Sequence, residues 1–317
     1  MVQVRGRNHC SRVNQPPVRI DDMSYVQRIP PQPPRSPAVS LLTAADQFPD
    51  TDRDYDRWRS GVAAQNLLCL SAANEPVSCP VGDDDERWDP EPPSQHEFVP
   101  VRTYLPYGCE GFIGRPGLWD EQAVAALNAK IAFNVARELW TGEMTGNPSL
   151  QSTAILLPTS GPLTPTAGAM MALASFEECT QGAQAFVHAP SAAEADLLSN
   201  GVVRRVGNKF VTPQDHVVVL GPGYPQSPGL WGPTHSYDGD GDVVTGAAAE
   251  AETGEAFLYV TGPVQVAGPV DTSGPPIVQQ PRTNKHVSMP SVSTVYRFDS
   301  CCAFAVRIRV PDGSEAI

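Results

Sequence analysis

No run of 18 apolar residues occurs in this chain, so no segment reads as a membrane-spanning helix. The N-terminus also lacks a charged stretch followed by an apolar core and a small-residue cleavage site, and the chain reads as soluble and unexported. The familiar enzyme signatures are missing as well. There is no Gly-x-Ser-x-Gly elbow, no Gly-x-x-x-x-Gly-Lys-Ser/Thr phosphate loop, no His-Glu-x-x-His and no zinc-type Cys-x-x-Cys. Gly221-Pro222-Gly223 follows a strand-like run, but Pro222 has no N–H to offer a phosphate and Tyr224-Pro225 opens no helix, so it reads as a turn.

Basic charge is scarce. With 22 Lys and Arg against 35 Asp and Glu, the net charge of −13 argues against a dedicated nucleic-acid binder, which would neutralise phosphates with a clustered basic surface. The distribution is uneven. Residues 1–40 hold six Arg (Arg5, Arg7, Arg12, Arg19, Arg28, Arg35) against Asp21 and Asp22, a net +4 that leaves −17 for the rest. Cysteine is sparse and odd in number. Cys10, Cys69, Cys79, Cys109, Cys179 and the vicinal Cys301-Cys302 are scattered over 317 residues and read as reduced thiols in a core, not as a disulfide framework.

What the chain has in excess is 33 Pro and 26 Gly, which imply long irregular arms or loops on a globular body. Residues 1–40 are rich in Pro and Arg, and Pro30-Pro31-Gln32-Pro33-Pro34 favours polyproline II. Two readings stay open there: a disordered tail, or an arm ordered by lying across neighbouring subunits. Residues 76–117 are irregular too, with the acidic run Asp83-Asp84-Asp85-Glu86, then Pro90, Pro92 and Pro93, then a short strand around Phe98-Val99-Pro100-Val101. This is read as an extended loop projecting from the body.

The strongest helix signal runs from Trp119 to Thr141, where Val124, Leu127, Ile131, Val135 and Leu139 recur at spacings of three and four, after Pro116-Gly117 and before Gly142. Its roughly 23 residues would span about 35 Å. A second helix is predicted from Pro165 to Thr180, with Thr164 as N-cap and Met170, Leu173 and Phe176 on one face. A third runs from Ala192 to Ser199, with Ser191 and Glu194 as a capping box and Gly201 as the left-handed cap. Strands are predicted at Gln184–His188, at Val202–Val206 and Lys209–Thr212 around a Gly207-Asn208 turn, at His216–Leu220, Ala256–Val260 and Val264–Ala267, and as one long closing strand at Ser293–Val310. The fold class is α+β.

Asp238-Gly239-Asp240-Gly241-Asp242 places three carboxylates at alternate positions, as the opening of a calcium loop does. Val243 stands where the turn glycine belongs and Ala249 where a bidentate glutamate belongs, so an acidic solvent loop is expected. His9, His96, His188, His216, His235 and His286 are dispersed, and His188 and His216 read as structural. The residue types allow a Cys-His nucleophile pair, for example Cys109 with His96, but nothing beyond those types points to one. No catalytic, cofactor-binding or metal-ligating residue is assigned.

The order of elements resembles the major capsid proteins of tailed bacteriophages, the Hong Kong 97 fold that encapsulins share. The likeness is carried by Glu121–Thr141, by Ala185-Phe186-Val187-His188-Ala189-Pro190 leading into Ser191–Asn200, and by Val217-Val218-Val219-Leu220-Gly221-Pro222-Gly223-Tyr224-Pro225. It continues through Tyr259-Val260-Thr261-Gly262-Pro263-Val264-Gln265-Val266 and Cys301-Cys302-Ala303-Phe304-Ala305-Val306, segments similar to head proteins of actinobacterial phages. The resemblance implies an arm and lead-in at 1–75, a protruding loop at 76–117, a spine helix and peripheral helix at 118–183, an axial-type α/β domain at 184–290 and a final peripheral strand at 291–317. It implies a non-enzymatic shell subunit that forms hexamers and pentamers of an icosahedral capsid in the bacterial cytoplasm. Its partners would be copies of itself, a scaffold, portal or decoration protein, and packaged double-stranded DNA through non-specific contact, with no membrane and no cofactor. The Lys–Asn crosslink of some members is not expected, since Lys130, Lys209 and Lys285 are the only lysines and none lies in 76–117. The alternatives are another virion component, such as a decoration or tail protein, and an enzyme with an unrecognised site.

Overall fold

The computed structural model describes residues 39–48, 61–66, 68, 95–105, 107–110, 116–221, 223–226, 228–273, 278–280 and 285–311. Residues 1–38, nearly all of the basic arm, and the acidic run at 83–86 lie outside them. The chain divides into two units. One holds Tyr104–Ala129 and Asp271–Val292; the other, larger, holds Ser36–Thr103, Lys130–Val270 and Ser293–Ile317.

The described elements begin with α1 (Leu41–Ala44), β1 (Asp46–Gln47), β2 (Val62–Gln65), β3 (Gln95–Phe98), β4 (Val101–Tyr104) and β5 (Tyr107–Glu110). There follow α2 (Pro116–Thr141), α3 (Leu150–Thr153), β6 (Ile155–Leu156), α4 (Pro165–Thr180), β7 (Phe186–Pro190), α5 (Glu194–Ser199), β8 (Arg204–Val206) and β9 (Lys209–Val211). The rest are strands: β10 (Val217–Gly221), β11 (His235–Tyr237), β12 (Val243–Thr245), β13 (Glu255–Thr261), β14 (Val264–Ser273), β15 (Val278–Gln280), β16 (Lys285–Ser288), β17 (Ser291–Phe298) and β18 (Phe304–Arg309).

The larger unit is organised around a nine-stranded mixed sheet in the order β12-β11-β6-β18-β13-β7-β10-β9-β8. At its centre β7 and β10 run parallel in the register Val217↔Phe186 to Gly221↔Pro190, while β13 pairs antiparallel with both β7 and β18. Every residue of β7 and β10 is buried, as expected for strands covered on both faces. One face carries α4 and α5, whose Ala169, Ala172, Phe176 and Leu197 pack with Val187, Val218, Leu258 and Val306. The other carries the C-terminal half of α2 through Trp140, fully buried against Tyr224 and Tyr259 at ring separations of 5.1 and 4.6 Å. A four-stranded sheet, β1-β14-β17-β4, and a hairpin of β2 and β3 complete the larger sheets. The smaller unit holds β15-β16-β5, where Lys285↔Glu110 and Val278↔Val287 set the antiparallel register.

Helix α2 forms as its spacing predicts. Leu127, Ile131, Val135 and Leu139 are at most 2% exposed, and Gly142 ends the helix at φ +62°. Its start differs: Pro116 and Gly117 lie inside the helix, because a proline at the first helical position loses no hydrogen bond. The 26 residues span about 39 Å.

Several expectations are corrected. In α4 the buried stripe is Gly168, Ala169, Ala172, Leu173 and Phe176, and Met170 is 62% exposed. The helix approaches β18 through its smallest residue, since a Cβ on Gly168 would lie 2.6 Å from Ile308 Cγ2, and Met170 two residues on points away. The Ser191–Glu194 capping box does not form. Ser191–Ala193 wind as a 3₁₀ turn, so Glu194 is the first α-helical residue and its side chain cannot reach back to an N-cap three residues earlier. The single closing strand is two strands in two sheets, β17 and β18. Asp299 Oδ1 accepts from the Cys301 N–H at 3.0 Å and Cys302 sits at φ +58°, which turns the chain between them. The short strand at Phe98–Val101 is likewise split, with the amide of Asn147 accepting from the Val99 N–H at 2.8 Å and donating to its carbonyl at 2.9 Å in the gap.

The reduced-thiol reading also fails. Cys179 at the end of α4 and Cys302 form a disulfide across 123 residues, with Cα atoms 5.8 Å apart, and Cys301 is disulfide-bonded too. Chain separation says nothing about proximity once a helix end and a turn are packed together.

Candidate functional site

Two histidines that the sequence marks as structural, His188 and His216, are drawn into the core. His188 on β7 is fully buried, with Nδ1 2.9 Å from the Tyr224 hydroxyl and Nε2 3.0 Å from Thr261 Oγ1. The Thr261 hydroxyl donates its one proton to the Gly262 carbonyl at 2.9 Å, so it accepts from Nε2–H, and Nδ1 therefore accepts from Tyr224. This is a neutral imidazole. Burial pushes its pKa down to about 3, and pushes the phenols of Tyr224 and Tyr259 up. His216 is held in the same manner: Nδ1 accepts from the Ala185 N–H at 3.1 Å and Nε2 donates to Glu177 Oε1 at 2.8 Å. Both histidines fasten strands, and His188 has no route to solvent by which a substrate could reach it.

Around this node, the Trp231 carbonyl accepts from Trp140 Nε1 at 2.8 Å and from the Tyr259 hydroxyl at 2.9 Å, while Arg137 stacks 4.1 Å over the Trp231 ring. Glu138, 2% exposed, was not singled out from sequence. Its side-chain oxygens accept from the Met144 N–H at 3.0 Å and from the N–H and hydroxyl of Thr145 at 2.9 and 2.6 Å, so a buried side chain closes the turn after α2. A Glu one turn from a helix end, followed by Gly142 and Thr145, is the signal that would have found it.

Two open grooves indent the surface of the larger unit. The first, about 640 Å³, is lined by Thr164, Asp196, Thr253, Glu255, Arg309 and Pro311 among others. Its acids are committed to the fold. Asp196 Oδ2 accepts from the Thr166 N–H and hydroxyl at 2.8 and 2.7 Å and Oδ1 from Asn200, capping α4, while Glu255 lies 3.8 Å from Arg307 and accepts from the Glu252 N–H. The second, about 580 Å³, is lined by Ala63, Leu68, Gln95, Gln265, Arg297 and Phe298 among others.

Asp238, Asp240 and Asp242 form the turn between β11 and β12. Asp238 Oδ1 accepts from the backbone N–H groups of Asp240 and Asp242 at 3.0 and 2.9 Å, an arrangement that closes the turn. Among the described residues no group of three or more His, Cys, Asp or Glu side chains converges as metal ligands would. His96 lies on β3 in the larger unit and Cys109 on β5 in the smaller. No helix among the described residues is long and apolar enough to cross a membrane.

Side chains that reach solvent are more informative. Met144, Met170, Leu230, Tyr104 and Val206 are all more than half exposed. Of the basic residues on body strands, Arg204 pairs with Asp215 at 3.4 Å and Arg307 with Glu255.

No protein-family model and no curated protein matches the chain. Among solved structures it is similar to the capsid of Ralstonia phage GP4, at 9% identity over 93% of this chain and 98% of that one, with a TM-score of 0.50. A Gordonia phage Cozz chain matches at 12% identity, 86% and 87% coverage and TM-score 0.44, and a SrpI encapsulin complex from Synechococcus elongatus at 10%, 69% and 77%, and 0.44. At such identity the likeness to the GP4 capsid is one of fold, and the chain has the α+β, Hong Kong 97-type fold of phage capsids.

Proposed function

We propose that the chain is a structural virion protein, the major capsid subunit of a tailed phage, which self-assembles into an icosahedral shell around phage DNA. The observation that supports this most is the extent of the fold likeness: 93% of this chain and 98% of the GP4 capsid chain are covered, so nearly the whole polypeptide is given to a shell-forming fold. Its side-chain chemistry agrees. His188, Glu138 and Asp196, which would be the first suspects in an enzyme, are engaged with backbone and hydroxyl partners, which supports a structural role for them.

In this reading the arm within residues 1–75 and the loop within 76–117 reach neighbouring subunits, while 118–183, 184–290 and 291–317, joined by β1 to β4, build the body. Hexamers and pentamers form the shell, with a scaffold, portal or decoration protein as further partners and assembly in the host cytoplasm. A body of net charge −17 beyond residue 40 suits a container, because it repels packaged DNA enough not to trap it, while the basic first forty residues meet DNA or an acidic neighbour. Electron microscopy of the purified protein tests the proposal. Closed icosahedral particles support it; tubes or monomers alone overturn it in favour of a tail or decoration component.

A further inference from the structure

The nine-stranded sheet ends in β8 on one side and β12 on the other, and among the described residues β8 pairs only with β9 and β12 only with β11. All six residues of these two edge strands are exposed. Three are valines, Val206, Val243 and Val244, at 52, 49 and 41% exposure. An open row of backbone donors and acceptors lined by β-branched apolar side chains is a template for another strand. Neither charge nor proline interrupts β12, while on β8 Arg204 and Arg205 supply charge that disfavours a second copy of the same edge and favours an acidic partner.

The charges beside the two edges are opposite in kind. The turn leading into β12 carries Asp238, Asp240 and Asp242, where the Asp238 carboxylate accepts from the backbone N–H groups of Asp240 and Asp242. The β8–β9 hairpin carries Arg204, Arg205 and Lys209. Arg204 and Lys209 lie 3.4 and 3.5 Å from Asp215 and Asp46, loose exposed pairs that solvent screens, and Arg205 donates to the Gly207 carbonyl at 3.1 Å. Pairing either edge with its own copy would set like charges opposite one another; pairing the two different edges sets unlike charges together.

We infer that the β8 edge of one subunit docks on the β12 edge of the next copy of this chain, extending the sheet across the subunit boundary. The contact is head to tail, with a different patch on each partner, and such contacts close into rings when the rotation between copies permits. Docking satisfies the free backbone groups, covers the three valines and places Arg204 and Arg205 near the carboxylates of the Asp238–Asp242 turn. The inference rests on the shell reading and names which surfaces make the ring.

A charge swap tests it in the full chain. Arg204→Glu with Arg205→Glu, and separately Asp240→Arg with Asp242→Arg, should each lower the assembled fraction at low salt by about tenfold, and the four changes together should restore most of it. Because these side chains are exposed, the subunit's melting temperature should not move. Should either reversal fail to fold, Val206→Cys with Val243→Cys gives a second readout, a ladder of reducible multimers on a gel that neither single cysteine produces. If the parent builds shells and the reversals assemble normally, or the ladder is absent, the edge contact is wrong while the shell reading stands. Two defects with no recovery on combination assign the edges to another occupant, such as residues 1–38, and also overturn it. A parent that forms neither shells nor rings overturns both.

Discussion

The hydroxyl of Tyr224 donates to Nδ1 of His188 across 2.9 Å in a fully buried site, and the chain of bonds through Thr261 to the Gly262 carbonyl leaves the imidazole no room for a second proton. The unfolded chain binds that proton near pH 6.5, the folded one only near pH 3. The sign follows. Above pH 6.5 the contribution is fully present, and between pH 6.5 and about 3 it is lost at up to about 1.4 kcal/mol per pH unit as the unfolded state takes up the proton. Melting the parent and a His188→Gln variant at pH 7.5 and 4.5 isolates this group from the carboxylates common to both. The parent should lose more stability than the variant; equal losses would show that His188 does not titrate on unfolding.

Gly223 lies against α2 so closely that a Cβ there would stand 2.6 Å from both the Phe133 carbonyl oxygen and Ala136 Cβ. A backbone carbonyl cannot yield as a flexible side chain does. Gly223→Ala should destabilise by about 1–3 kcal/mol. Gly239→Ala, with nothing within 4 Å of the added carbon, serves as the control and should stay within about 0.5 kcal/mol, both read from denaturant midpoints.

Ile131 is 2% exposed at the middle of the α2 stripe. Ile131→Asp would bury a carboxylate with no partner and should cost several kcal/mol, enough to leave the subunit misfolded. An Ile131→Asp protein that melts with the parent would mean that the stripe is not packed.

Closing a loop of 123 residues, the Cys179–Cys302 disulfide restricts the unfolded chain and should contribute about 4–5 kcal/mol if the unfolded state is the main seat of its effect. Cys179→Ala with Cys302→Ala should lower the melting temperature of the oxidised protein by several degrees, and reductant should then change the variant less than the parent.

Residues 1–40 show no apolar periodicity that could offset an ordering cost of roughly 1–2 kcal/mol per residue. Removing them should leave a folded body that assembles poorly. Normal shells from the truncated protein would make the segment a passive tail.

Local signals were legible in the sequence, and contacts between distant residues were not. The three-and-four spacing from Leu127 to Leu139 marks α2, Thr164-Pro165 marks the start of α4, Gly207-Asn208 marks the β8–β9 hairpin, and the alternation of Val306, Ile308 and Val310 with Arg307 and Arg309 marks β18, because each is decided by neighbours a few residues away. The Cys179–Cys302 bond and the Tyr224–His188 pair join residues whose separation carries no information about distance. The Ser191–Glu194 box misled because the same residues suit a 3₁₀ turn, and Asp299 and Cys302, which divide the closing strand, resemble ordinary strand neighbours until the turn is seen.

The order of strands in the large sheet also sets a timetable for synthesis. β6 at Ile155–Leu156 pairs with His235–Ser236 on one side and with Phe304–Ala305 on the other, and β13 completes its pairing only with the latter strand, β18. At about 5–20 residues per second a ribosome needs roughly 7–30 s to make the intervening stretch. Until β18 emerges, the hydrophobic faces of α4 and β13 that pack with Val306 and Ile308 stay uncovered, so the core of the large sheet closes only after nearly the whole chain has been made.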